Sequence, residues 1–75
     1  MNTRGVEKVE LRINGQVVTV PDTISTIADL IHYFKLENRV IIVEQNQNIL
    51  EKSEHEKSEL KKGDTIELVQ FVGGG

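Results

Sequence analysis

The sequence predicts an α+β domain in which one helix packs across one face of a mixed sheet of four to five strands. Three observations predict it. Polar and apolar residues alternate through 8–13, and after Asn14-Gly15 the run 16–20 returns as a second strand. One apolar stripe at helical spacing follows Thr26. Two runs rich in β-branched residues, 40–43 and 65–72, complete the pattern.

Val9, Leu11 and Ile13 share one face of the first strand, with Lys8, Glu10 and Arg12 on the other, so this strand is half-buried. Asn14-Gly15 tolerates the positive φ of a two-residue hairpin turn. Residues 16–20 return as a second strand, which Pro21 ends because it has no amide proton to donate. Thr26-Ile27-Ala28-Asp29 reads as a capping box, with Thr26 at the N-cap and Asp29 at the positive end of the helix dipole. Ile27, Leu30, Ile31 and Phe34 then form one stripe on a helix of about three turns, and Asn38 is the expected left-handed stop. Val40-Ile41-Ile42-Val43 reads as a central strand and Ile49-Leu50 as a short one. The charged stretch 51–59 is only marginally helical, tethered by Leu50 and Leu60. Lys62-Gly63-Asp64 is a turn, and 65–72 is the last strand, running straight into Gly73-Gly74-Gly75.

A hairpin followed by a right-handed helical crossover gives a mixed sheet with its helix on one side. That is the β-grasp arrangement of ubiquitin-like proteins. The expected organisation is a flexible N-terminal extension at 1–7, a β-grasp domain at 8–72 and a flexible glycine tail at 73–75.

Composition narrows the function. A chain of 75 residues buries only about 60% of its unfolded surface, which leaves little room for the apolar pocket of a self-contained enzyme. Nine basic and twelve acidic residues are dispersed along the chain for a net charge of −3, and only one Tyr and two Phe could stack on bases. Nucleic-acid binding is not expected. No apolar run reaches membrane-spanning length and residues 1–5 do not resemble a signal peptide, so the expected location is cytoplasmic, away from membranes. Cysteine is absent, which removes disulfides and thiolate chemistry. His32 and His55 are expected on solvated faces, and no metal site or bound cofactor is expected from them. Ser53 and Ser58 lack a local base that would make either a nucleophile.

The C-terminal stretch from Leu60-Lys61-Lys62-Gly63-Asp64-Thr65 through Phe71-Val72-Gly73-Gly74-Gly75 closely resembles the end of the bacterial ThiS family, the sulfur carriers of thiamin thiazole synthesis. Asn14-Gly15 and Thr26-Ile27-Ala28-Asp29-Leu30 resemble the same family, so the likeness covers 8–75. One departure is Gln45-Asn46-Gln47-Asn48, where an Asn-Gly turn would be expected. A second is the polar extension before Lys8. The resemblance implies a carrier, not an enzyme. Its Gly75 carboxylate would be adenylated with ATP on a ThiF-like enzyme and converted to a thiocarboxylate with sulfur from a desulfurase system. A ThiG-like thiazole synthase would then receive that sulfur. A C-terminal carboxylate is ionised at neutral pH, with a pKa of about 3.5. Glycine at 73–75 would let the tail thread a narrow partner site, with no Cβ beside the activated carbonyl.

Other readings remain open. The same terminus would suit the small subunit of molybdopterin synthase or a protein-conjugating modifier. A β-grasp binding module such as the TGS domain would make no use of the tail, and three glycines could also be a remnant without function. If Ile66 and Leu68 face the helix, period two turns Glu67, Val69 and Phe71 to the opposite side. The run 40–43 must place two more apolar side chains there. One helix cannot cover both faces, so a patch near the tail is left for a partner. Glu67, Val69, Phe71 and Val72 are its candidate residues. Scattered surface hydrophobes or a homodimer contact are the alternatives.

Overall fold

The structure, a computed structural model, describes residues 7–71. In chain order the elements are β1 (Lys8–Ile13), β2 (Gln16–Pro21), α1 (Ile27–Tyr33), β3 (Ile41–Gln45), β4 (Asn48–Leu50), a 3-10 turn (Lys52–Glu54) and β5 (Thr65–Gln70). The sheet runs β2-β1-β5-β3-β4. Only the β1–β5 pair is parallel in this sheet; β1–β2, β3–β4 and β3–β5 are antiparallel. This is the mixed sheet with one helix that the pattern predicts.

The hairpin turns at Asn14 (φ 50°) and Gly15 (φ 83°), both left-handed as such a turn requires. At the helix start, Thr26 Oγ1 accepts the Asp29 amide at 3.1 Å while Asp29 Oδ2 accepts the amides of Thr26 and Ser25. The helix is shorter than its periodicity predicts. It ends after two turns, with Lys35 (φ 61°) and not Asn38 in the left-handed position. The Lys35 amide donates to His32 O and the Leu36 amide to Ile31 O, which closes a Schellman motif. Leu36 then packs against the core, and that contact fixes where the chain leaves the helix.

Residues 46 and 47 form the β3–β4 turn, at φ 52° and 73°. The shape expected of Asn-Gly is thus reached without glycine. Asn46 is held in place by its own side chain, which donates to Asp64 Oδ1 and accepts the Thr65 amide. Asp64 is buried, and its Oδ2 also accepts from Gln45 Nε2 and the Lys61 amide, both at 2.9 Å. Burial pushes this carboxyl up, but the bonds from Asn46, Lys61 and Gln45 outweigh it and hold the group below the ordinary range.

The core comprises Leu11 and Ile13 from β1, Val20 from β2, Ile27, Leu30 and Ile31 from α1, Val43 from β3 and Ile66 from β5. Leu68, expected to be a core residue, faces the same side but is only half-buried, and Phe34, predicted on the helix's apolar stripe, is exposed. The buried position on β5 is Ile66, at 0% exposure. Ile66→Ala should therefore lower the unfolding free energy by about 2–5 kcal/mol. Phe71→Ala and Val69→Asp, on the opposite face, should each cost under about 1 kcal/mol. Urea denaturation of the three variants checks the register: equal losses at 66 and 71 would refute it.

Candidate partner-binding face and tail exit

β5 lies in the middle of the sheet and leads into the glycine tail. Opposite the helix, Val69 stands across from Ile42, and the Phe71 amide donates to Val40 O at 3.1 Å. Val69 is 48% exposed and Phe71 55%. Val40 and Ile42, the two side chains that run 40–43 was expected to place here, are exposed as well. Four apolar side chains thus form two cross-strand pairs beside the tail exit, and the helix covers none of them. Sequence reasoning identified Val69 and Phe71 and anticipated their neighbours without assigning them a role.

Glu67 is half-buried and faces Glu44 across the strands, so the patch is bordered by two acidic residues. Arg39 Nη1 donates to Gln70 Oε1 at 3.4 Å at the opposite end of the β3–β5 pair. Val72, Gly73, Gly74 and Gly75, the remaining predicted site residues, lie outside the described residues.

His55 differs from expectation. The stretch 51–60 does not float over a solvated surface but closes the first turn of α1. The Ile27 amide donates to Ser58 O, the Ala28 amide to His55 O and the Leu60 amide to Ser25 O. Two of the helix's otherwise unpartnered amides are satisfied in this way. The Ala28 contact ties His55 to the helix start, where its ring is buried and its Nε2 has no hydrogen-bond partner among the described residues. Charge density along the stretch hides this, because the decisive partner lies 27 residues upstream. His32 is exposed as expected and pairs with Glu37 at 3.0 Å.

Beside His55, an open groove of about 500 Å³ runs between α1 and the start of β3, walled by Ala28, Ile31, Leu36 and Ile41. Among the described residues no cluster of three His, Cys, Asp or Glu side chains could hold a metal ion. No helix among them is long and apolar enough to cross a membrane.

The sequence profile of the ThiS family matches residues 7–75. The chain belongs to the ThiS family. Over 65 residues this ThiS-family chain is 43% identical to the sulfur carrier protein ThiS of Bacillus subtilis (strain 168), spanning 87% of this chain and 98% of that one. It also superposes on the crystal structure of a thiamine biosynthesis protein (ThiS) from Geobacter metallireducens with a TM-score of 0.74. The identity there is 30%, over 89% of this chain and all of the other. The solution structure of a thiamine biosynthesis protein from the same organism gives a TM-score of 0.75. These likenesses to ThiS structures establish the β-grasp fold.

The covered histidine gives this ThiS-family domain a predictable acid response. Burial, with the Lys52 cation nearby, holds His55 below its usual 6.5, against the opposing influence of Glu54 and the Leu50 carbonyl. Since the folded pKa is the lower one, the unfolded chain takes up the proton first. Stability is then full above about pH 6.5 and declines as pH falls toward the folded value. The depressed carboxyls of Asp29 and Asp64 lose their contribution as pH falls below about 3.8. Urea midpoints should fall between pH 7.5 and 5.5 in the wild type and stay flat in His55→Gln; an equal fall in both would exclude His55 as the cause.

Proposed function

We propose that this chain is a sulfur carrier, and not itself a catalyst, that donates sulfur for the thiazole ring of thiamin. The observation that carries the proposal is that the ThiS match runs through the terminal glycines to Gly75. The 43% identity to a named sulfur carrier over nearly that protein's whole length supports it.

In this reading a ThiF-like enzyme binds the apolar patch and takes the tail into its own site. The Gly75 carboxylate attacks the α-phosphate of ATP, forming an acyl adenylate and releasing pyrophosphate. The outer sulfur of a desulfurase-derived persulfide then displaces AMP. A thiol cleaves the resulting acyl disulfide by forming a disulfide with the inner sulfur, leaving a C-terminal thiocarboxylate for a ThiG-like thiazole synthase to consume. ATP belongs to the adenylating partner; this chain binds no cofactor of its own. Its contribution is to present a carboxylate on a thin tail beside a surface the partner can grip. Phe71 suits an anchor there, since large aromatics near the centre of an interface often carry a few kcal/mol when truncated.

Intact-mass measurement of protein from thiamin-synthesising cells should show a fraction in which one oxygen is replaced by sulfur, located on the last peptide. Deletion of Gly75 and Gly74→Val should abolish or impair loading by the adenylating enzyme while leaving the melting temperature nearly unchanged. Phe71→Ala should load more slowly because docking is weaker. Full loading of the Gly75-deleted protein would overturn the proposal. Conjugates to lysines of other proteins would favour a modifier, and rescue of molybdopterin synthesis alone would favour the other carrier class.

A further inference from the structure

Parallel pairing between β1 and β5 ends early: Arg12 is opposite Thr65 and Ile13 opposite Ile66. Next, the Asn14 amide donates to Ile66 O at 2.9 Å. Beyond that point β1 has turned away into the hairpin, while β5 runs on toward the tail with β3 along its other edge. The Asn14 side chain occupies the place where β1 would have continued. Its Oδ1 accepts the Leu68 amide at 2.8 Å and its Nδ2 donates to Leu68 O at 3.3 Å. A carboxamide thereby does for Leu68 what a neighbouring strand would do, offering an acceptor and a donor to one residue's backbone. Aspartate and serine are common in turns, but neither presents that planar pair.

Leu68 immediately precedes Val69 and lies three residues before Phe71, the last described residue before the tail. Holding Leu68 from the β1 side, while β3 holds the other, sets the direction in which β5 delivers the patch and the tail. We infer that Asn14 is a positioning residue for the carrier reaction, fixing the path of the tail-bearing strand through its two bonds to Leu68. This rests on the carrier reading proposed above. The turn alone does not account for Asn14, because glycine would satisfy its φ of 50° as well.

Asn14→Gly separates the two roles, since it keeps the left-handed turn and removes the carboxamide. Asn14→Asp also keeps the turn, retains an acceptor for the Leu68 amide and sets a carboxylate against the Leu68 carbonyl. The full chain and both variants are assayed by pyrophosphate release with the adenylating enzyme, with amide exchange at Leu68 followed in parallel. Asn14→Gly should raise the KM for the carrier about five- to tenfold, the scale of losing one or two exposed hydrogen bonds. Its kcat at saturating carrier should stay within about twofold, because docking and not chemistry is disturbed. Asn14→Asp should fall between wild type and Asn14→Gly. Faster exchange at Leu68 with an unchanged KM in both variants would overturn the inference and leave the carrier reading intact. A lower melting temperature with no change in KM would likewise reduce Asn14 to a stability role. Failure of the wild-type chain to be adenylated would overturn both.

Discussion

Everything in this fold depends on β5 lying between β1 and β3. The β1–β2 and β3–β4 hairpins are the two local units of the sheet, and β5 is the strand through which they meet. Leu11 and Ile13 come from one hairpin and Val43 from the other, and Ile66 on β5 joins them beneath the helix. The core is therefore complete only when the most C-terminal strand is in place. A long-range parallel contact is entropically expensive to close. In return, β5 is paired on both sides where it starts, at Thr65 and Ile66, and β3 stays beside it as far as Gln70.

Burial divides β5 lengthwise. Its helix-facing side supplies Ile66 and the half-buried Leu68, and its other side supplies Val69 and Phe71. Because alternate residues serve alternate faces, the exposed face can vary with little effect on the core. Asp64 makes this economical. One buried carboxylate ties the turn before β5 to Gln45 and Asn46 of the neighbouring hairpin, so a set of hydrogen bonds substitutes for the larger apolar core that 75 residues cannot supply.

Features governed by neighbours in sequence were legible from it. The Asn14-Gly15 turn, the Thr26–Asp29 capping box and the alternation that turns Phe71 outward all follow from the identity of adjacent residues. Features governed by distant partners were not. Propensity places the helix stop at Asn38, but the burial of Leu36 draws the chain off at Lys35 against that residue's own preference. The charged stretch around His55 is shaped by the free amides of a helix far upstream. Asn14 was read as a turn residue, and its attachment to Leu68, 54 positions away, has no local signature. The candidate patch was half legible: its β5 residues came from periodicity, while Val40 and Ile42 needed the register of β3 against β5.

The turn at Asn46 and Gln47 has a consequence for the domain's capacity to change. Two successive residues other than glycine occupy left-handed backbone, a conformation that costs roughly 1–2 kcal/mol per residue. Asn46 offsets its share through its bonds to Asp64 and Thr65, whereas no side-chain hydrogen bond of Gln47 occurs among the described residues. Gln47 is thus a reserve of unspent stability: glycine there would relax the backbone without touching the core, the patch or the tail. A lineage or an engineer could draw on that reserve to tolerate a destabilising change elsewhere, such as a new side chain on the open face.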